Sequence, residues 1–161
     1  MSGFISFLKS FLSKEIIVII VSMLPLIELR GAIPIGIGLG MSFYESLVIS
    51  FIGSTIPAIL IVYLIKYVFF FLRKLKFFDN LITKIEVRTL SKREQIDKYG
   101  YWGLFLFVAI PLPGTGVWSG SLLSYLLGMK KLKSLAVVIL GNLVAGVIIA
   151  IISNGAFNLM R

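Results

Sequence analysis

The chain has 161 residues, of which 58% are hydrophobic and only 14% charged, and it contains neither His nor Cys. Its 16 Lys and Arg against 7 Asp and Glu give a formal net charge of +9. A soluble domain carries about 25% charged residues, so the composition excludes an ordinary cytosolic globule, a disordered chain and a disulfide scaffold. It also excludes thiol and imidazole catalysis and His/Cys metal sites. What remains is a small, basic integral membrane protein of one domain, whose surplus Lys and Arg mark the cytoplasmic face.

The N-terminal segment 2–14 predicts a short amphipathic helix in the membrane interface. Its apolar residues recur at helical spacing: Phe4, Phe7, Leu8, Phe11 and Leu12. A signal peptide is the alternative, because Lys14 precedes an apolar run. No small-residue cleavage site follows that run, which favours the interfacial helix.

Four apolar stretches follow, at about 16–40, 46–72, 101–128 and 134–157. The second and fourth exceed the ~20 residues that a membrane-spanning helix needs. The first and third are interrupted by breaks rich in Pro and Gly, PLIELRGAIP at 25–34 and PLPGTGVWSG at 111–120. The half-segment before each break is about nine residues long and rises only about 13 Å as a helix, so a re-entrant hairpin fits each interrupted stretch.

The chain also repeats itself at an offset of 88 residues. The identities in register are Leu24-Pro25 with Leu112-Pro113, Gly40-Met41 with Gly128-Met129, Ser46-Leu47 with Ser134-Leu135, and Gly53 with Gly141. The pattern predicts an all-α membrane protein with repeat 1 at 15–72 and repeat 2 at 100–161. If the interrupted stretches are re-entrant, the copies are inverted; if these stretches cross fully, the copies are parallel.

The distribution of Lys and Arg favours the inverted arrangement. It places the basic segment 73–99 and the lysines of 130–133 on one side, which the positive-inside rule makes cytoplasmic, and both termini outside. The same segment carries an apolar stripe at helical spacing, which predicts an amphipathic interfacial helix. The stripe consists of Phe77, Phe78, Leu81, Ile82 and Ile85.

Glu28 and Arg30 are the only charged residues within the breaks. Charges at membrane depth are costly and usually mark a pathway. Between Pro25 and Gly31-Ala-Ile-Pro34 the natural conformation is an unwound tip, where side chains two residues apart share a face. There both could face one polar cavity, or form an ion pair that only holds the tip together. A carboxylate removed from water can exchange a proton near neutral pH, which makes Glu28 the candidate coupling site.

The second break carries no charge but could bind a ligand through its backbone. Thr115 is a candidate N-cap for a returning half-helix, and Pro34 suits an early position of the corresponding one. Two such N-termini at the midplane would form an anion site, to which Arg30 adds a forked donor. Alternatively, these residues only let the hairpins pack. The remaining candidate substrate-binding residues are Gly31, Pro113, Gly114, Gly116, Trp118 and Asn142.

Ser54 and Asn142 fall on matching positions of the two spanning helices, where either could hydrogen-bond a hairpin. Two hairpins and two helices enclose little volume, so a homodimer is expected. The small residues at Gly36, Gly38, Gly40, Gly141 and Ala145 offer contact surfaces.

The stretches ELRGAIPIG at 28–36 and PLPGTGVWSG at 111–120 resemble the Putative small multi-drug export protein family, itself similar to the DedA-like (VTT) superfamily. The resemblance covers nearly the whole chain. It implies two re-entrant hairpins in inverted repeats and, from the DedA-like members, proton-dependent return of undecaprenyl phosphate across the bacterial inner membrane. Glu28 matches the acidic residue of the first hairpin in that superfamily. The arginines around its second hairpin have no counterpart at 107–120.

These observations predict a proton-linked transporter of an anionic, lipid-linked phosphate, with Glu28 carrying the proton and Arg30 holding the phosphate. The alternatives are a proton-coupled exporter of small cationic drugs and a non-transporting membrane scaffold. We expect membrane lipids, protons and a second copy of the chain as partners, and neither nucleic acid nor a cofactor. No nucleophile–base arrangement is evident, so an enzyme is not expected.

Overall fold

The computed structural model describes the backbone of residues 13–73, 83–84, 87, 93–112 and 114–159. The interfacial helix predicted at 2–14 and the apolar stripe of the 73–99 segment lie outside these residues. The described chain forms six helices and no strand, which confirms the all-α class. They are α1 (Lys14–Met23), α2 (Glu28–Gly38), α3 (Phe43–Arg73), α4 (Arg93–Ala109), α5 (Val117–Leu126) and α6 (Lys131–Leu159).

Two of these helices are long and apolar enough to cross a membrane, as predicted for the second and fourth stretches. The candidate spans are Phe43–Tyr67 in α3 and Lys131–Ala156 in α6, with 25 and 26 residues. At about 1.5 Å per residue, each exceeds a hydrocarbon core of about 30 Å. The first and third stretches are each divided into two helices by a break, and α1, α2 and α5 have only 10, 11 and 10 residues.

Contacts within the chain define two compact units. The boundaries between them lie inside α3 and α6, not in the 73–99 segment. The first unit contains residues 1–57 and 142–161, and the second contains 58–141. The first therefore comprises α1, α2, the N-terminal half of α3 and the C-terminal part of α6. The second comprises the rest of α3, α4, α5 and the start of α6.

Each unit has its own apolar core. In the first, α1 packs on α2 around Val18, Val21 and Ala32, and a second cluster joins Leu29 and Ile33 to Ala150 of α6. In the second, the core residues are Ala58, Leu104, Val108, Val117, Leu123 and Val138. The short helices are thus held by tertiary packing along one side rather than by intrinsic helix propensity, which is insufficient at this length.

The helices α2 and α5 end in the same way, 88 residues apart. Gly40 and Gly128 have φ values of +82° and +65°, a conformation that glycine adopts without a steric penalty. The N–H of Met41 donates to the carbonyl of Gly36 at 3.0 Å, and the N–H of Met129 donates to that of Ser124 at 3.0 Å. Both ends are Schellman motifs. They support the predicted repeat at the level of individual hydrogen bonds.

The sequence predicts that one offset of 88 residues relates the two copies along their whole length. This prediction is wrong for α1 and α4. A Cβ added at Gly53 would lie 2.8 Å from the carbonyl oxygen of Ile19, and one at Gly141 would lie 3.0 Å from that of Phe105. Gly53 and Gly141 are 88 residues apart, whereas Ile19 and Phe105 are 86 apart. The second break is therefore two residues longer than the first.

The small residues predicted to form dimer contacts are largely used within the chain. Gly36 leaves room for the side chain of Ser46, and Gly141 lets α6 approach α4 closely. Ala145 is also buried. Contact surfaces at these three positions are therefore a wrong prediction, whereas Gly38 and Gly40 are exposed.

Candidate functional site

The first break is short and hydrogen-bonded. It covers Leu24–Ile27, and the N–H groups of Ile27 and Glu28 donate to the carbonyl of Leu24 at 3.2 and 2.9 Å. Glu28 and Arg30 consequently lie in the first turn of α2, so the predicted extended tip is wrong. The turn satisfies its own amides, which allows the helix to begin earlier than the Gly and Pro residues suggested. Pro34 is likewise not an early residue but lies inside α2.

Glu28 has an unusual backbone. Its φ is +49°, and it is the one non-glycine residue with positive φ in the described part of the chain. An L-residue in the left-handed region is disfavoured by about 1–2 kcal/mol, because Cβ approaches the following carbonyl. The side chain is also buried, with 5% of its surface exposed. A buried, acidic and strained residue inside a membrane protein is a candidate functional residue.

Three residues of α2 define the surroundings of Glu28. Leu29 packs against Gly146 of α6, where a Cβ would lie 3.7 Å from both of its methyl groups. Arg30 is half-buried and close enough to Glu28 to be influenced by its charge. The N–H of Gly31 donates to the carbonyl of Ile27 at 3.0 Å, which closes the first turn. An acid and a base are thus brought together at the beginning of a short helix.

The second break is organised by Thr115, although not as predicted. Its hydroxyl shares its one hydrogen between the carbonyls of Ile110 and Leu112, at 2.9 and 2.8 Å, and so binds back to the end of α4. The N-cap of α5 is Gly116, which makes no side-chain cap hydrogen bond. Gly114 and Gly116 have φ values of +80° and +125°. The N-cap role assigned to Thr115 is therefore wrong, and Pro113 lies outside the described residues.

The residue with the most unusual backbone at the first break, Glu28, has a counterpart at the second break. Gly116 is 88 residues after Glu28, and both are buried residues with positive φ that precede or begin a short helix. In the second copy the residue with positive φ is a glycine, whose φ of +125° and ψ of −166° suit glycine best. In the first copy the same position carries a carboxylate. By the same register, Arg30 corresponds to Trp118, which is half-buried.

A buried hydrogen bond joins α3 and α6 within the first unit. The Nδ2 of Asn142 donates to the Oγ of Ser54 at 2.8 Å, and the two residues are 88 apart. Ser54 also donates to the carbonyl of Phe51 at 3.2 Å. The predicted bond from either residue to a hairpin is therefore replaced by a bond between them.

Sequence reasoning missed two buried hydroxyls on α3. Ser46, Ser50 and Ser54, which we call the serine row, recur every fourth residue and are at most 1% exposed. Such spacing places them on one face of the helix. Ser46 donates to the carbonyl of Ile33 at 2.7 Å, whereas the Oγ of Ser50 has no partner within the described part of the chain. The signal was present in the sequence as Ser at i, i+4 and i+8 in an otherwise apolar helix.

The second unit has a related group of hydroxyls. Ser124 donates to the carbonyl of Ser121 at 2.8 Å. By the repeat, Ser121 and Ser134 correspond to Ile33 and Ser46 of the first copy. The carbonyl of Ser121, which corresponds to the acceptor of Ser46 in the first copy, accepts from Ser124 and not from Ser134. The Oγ atoms of Ser121 and Ser134 are buried without a hydrogen-bond partner in the described residues.

The predicted site residues fall into two groups. Glu28, Arg30, Gly31, Pro34 and Asn142 belong to the first unit, and Gly114, Thr115, Gly116 and Trp118 belong to the second. No group of three or more acidic residues that could hold a metal ion occurs within the residues that the structure describes.

These features define a small helical membrane protein with two apolar spans and a buried acidic residue, Glu28, near the half-buried Arg30. A family model described as "Putative small multi-drug export protein" matches residues 28–148. The match begins at Glu28, directly after the first break, and includes the second break, the whole Phe43–Tyr67 span and most of the Lys131–Ala156 span. The chain therefore belongs to this family, as its sequence resemblance predicted. No curated protein and no solved structure matches it.

Proposed function

We propose that this protein is a proton-linked exporter of small amphiphilic cations, with Glu28 as the residue that exchanges proton for substrate. The observation that carries the proposal is the buried, left-handed Glu28 at the start of a short helix. The family description, small multi-drug export, supports export of small molecules rather than of a lipid-linked phosphate. Transport by binding and release needs neither a cofactor nor a nucleophile.

In the proposed membrane arrangement, α1–α2 and α4–α5 are re-entrant hairpins, while α3 and α6 cross the bilayer. The lengths support this, because α1, α2 and α5, with 10 or 11 residues, rise only about 15–17 Å, roughly half the hydrocarbon thickness. The longer α4 is interrupted by the non-helical Gly100, so its part next to the second break is similarly short. Each copy then crosses once, the copies are inverted, the 73–99 segment is cytoplasmic and both termini are outside. The positive-inside rule supports the same orientation.

This arrangement can be tested by labelling, because the chain contains no natural Cys. Lys84 and Lys131 are exposed and are replaced singly by Cys. In intact cells, a membrane-impermeant maleimide should label neither variant until the membrane is opened. The parallel arrangement places the two positions on opposite sides, so labelling of one but not the other in intact cells would contradict the inverted arrangement.

In the proposed mechanism, the Glu28 carboxylate binds either a proton or a cationic substrate. A charge in a poorly hydrated site must be neutralised, so one cation leaves as one proton enters. Arg30 lies close enough to modulate this exchange, because its positive charge lowers the affinity of the carboxylate for a second cation. The competition couples transport to the proton gradient without any covalent step.

The test is efflux of a fluorescent cation such as ethidium from cells that express the protein. Glu28→Gln, which keeps the size but removes the charge, should abolish proton-driven efflux. Glu45→Gln is the matched control, because Glu45 is exposed and accepts a hydrogen bond from the N–H of Ser42 at 2.9 Å. Efflux that persists in Glu28→Gln at equal expression would overturn the proposal.

A second candidate is translocation of an anionic, lipid-linked phosphate. The observation that favours it is the half-buried Arg30 in the first turn of α2, whose guanidinium is a forked donor suited to phosphate. Arg30→Ala should then slow flipping of an undecaprenyl-phosphate analogue in proteoliposomes more than Glu28→Gln does. If the unaltered protein moves neither cation nor lipid, the non-transporting scaffold is the remaining function.

A homodimer remains part of the proposal, because the chain is small and its long helices expose large apolar side chains. Mass measurement of the protein in native membrane particles tests this directly. A single mass of one chain would contradict the dimer.

A further inference from the structure

The serine row runs along the buried face of α3 in the first unit. From Ser46 to Ser54 it extends about 12 Å at 1.5 Å per residue. It begins next to the exposed first turn of α3, where Ser42 and Glu45 bond to one another. It ends at the Oγ of Ser54, which accepts the hydrogen bond from Asn142. A line of hydroxyls therefore passes from an exposed helix end into the apolar interior.

The environment of Ser50 indicates that the serine row does more than pack α3 against its neighbours. Its Oγ is fully buried, at 0% exposure, and has no hydrogen-bond partner among the described residues. A buried hydroxyl without a partner costs about 1–3 kcal/mol, which replacement by Ala would avoid. Helix-surface residues four apart have Cβ atoms about 5–6 Å apart, close to the span of one water molecule that bonds to two hydroxyls. Ser50 is therefore placed to hold water between Ser46 and Ser54.

The inner end of the row lies towards Glu28. Asn142 and Gly146 are one turn apart on α6, and Gly146 contacts Leu29, the residue next to Glu28. One turn further along both helices, Ile33 of α2 and Ala150 of α6 belong to the same cluster as Leu29. The two helices therefore run in the same direction where they contact. The start of α2, with Glu28, is consequently on the Asn142 side of Leu29.

We infer that the serine row, together with internal water, is the route by which protons reach Glu28, and that the Asn142 amide orients the Ser54 hydroxyl without carrying a proton itself. Each hydroxyl can accept a proton on its oxygen while releasing its own to the next oxygen, so a proton moves without net change in the row. The inference rests on the proposed function, since it assigns a route to the same carboxylate. The other charged groups described in the first unit are Lys14, Glu15, Arg30 and Glu45, and of these only Arg30 lies on the helix that carries Glu28.

The experiment measures hydrogen–deuterium exchange of the Glu28 carboxyl by infrared spectroscopy on the full chain in lipid nanodiscs. The carboxyl band is assigned by its loss in Glu28→Gln. Ser50→Ala removes the hydroxyl, Ser50→Thr retains it, and Ser124→Ala in the second unit is the control. We expect exchange to slow about tenfold in Ser50→Ala, equivalent to about 1.4 kcal/mol of barrier. The rate should be restored in Ser50→Thr and unchanged in Ser124→Ala.

The outcomes separate the route from the function. If Glu28 shows a protonated band that exchanges equally fast in Ser50→Ala, the route is overturned and the proton-exchanging role of Glu28 stands. If no Glu28 band appears between acidic and alkaline pH, both are overturned.

Discussion

The backbone of Glu28 can be tested separately from its carboxyl group by comparing Glu28→Gly with Glu28→Ala. Both variants lack the carboxylate, and they differ in how well they accept a φ of +49° and in the larger chain entropy that Gly loses on folding, which offsets part of its advantage. Ala carries the same left-handed penalty as Glu, whereas Gly carries almost none. We expect Glu28→Gly to be more stable than Glu28→Ala by about 1 kcal/mol, or about 2–4 °C in the unfolding midpoint for a chain of this size.

The assay is thermal unfolding of purified protein in detergent, followed by intrinsic fluorescence, alongside cation efflux in cells. Gly116→Ala is the matched variant in the second copy, where φ +125° and ψ −166° are accessible essentially only to glycine. It should lose about 1–3 kcal/mol. Efflux should be absent in both Glu28 variants. If Glu28→Gly is no more stable than Glu28→Ala while Gly116→Ala is destabilised, the strained backbone at Glu28 is refuted.

Three further predictions concern the helix contacts around this site. Gly53→Ala should destabilise by about 1–3 kcal/mol, because its Cβ would lie 2.8 Å from a backbone carbonyl. Gly155→Ala, with nothing within 4 Å, should not lower the unfolding midpoint; equal midpoints for the two variants would contradict the close packing. In a double-mutant cycle with Ser54→Ala and Asn142→Ala, the coupling energy should be about 0.6–1.7 kcal/mol, and additive losses would show that the 2.8 Å bond contributes nothing. Ser42→Ala should cost about 1 kcal/mol by removing one half of the capping box of α3, and an unchanged midpoint would exclude that role.

Much of the fold was predictable because hydrophobic length is a direct constraint in a membrane. The two spans, the two breaks and the family follow from runs of apolar residues and from Pro and Gly within them. The repeat was also visible, since Gly40 and Gly128 serve the same left-handed helix end. These features depend on the hydrophobicity and backbone preferences of individual residues, which can be read directly from the sequence.

The details of the site were not predictable in the same way. Pro34 was expected near a helix start, yet α2 accommodates it six residues after its first residue, Glu28. Thr115 was expected to cap the helix ahead of it, yet its hydroxyl finds two carbonyls behind it. In both cases a local preference is overridden by tertiary packing and by nearby acceptors, which the one-dimensional pattern does not contain.

The differences between the two copies say more about function than their similarities. Buried positions such as Gly53 and Gly141 match because both copies must bring helices into close contact. Position 28 carries a carboxylate and position 116 carries glycine, yet both residues have a positive φ. The first copy therefore has a strained backbone at a position where glycine would relieve the strain. The proposed exchange of proton for cation gives the carboxylate at that position a role that glycine could not fill. Because only one copy carries it, the proposed mechanism allows one coupling proton per chain, and measurement of two per chain would show that Glu28 is not the sole site.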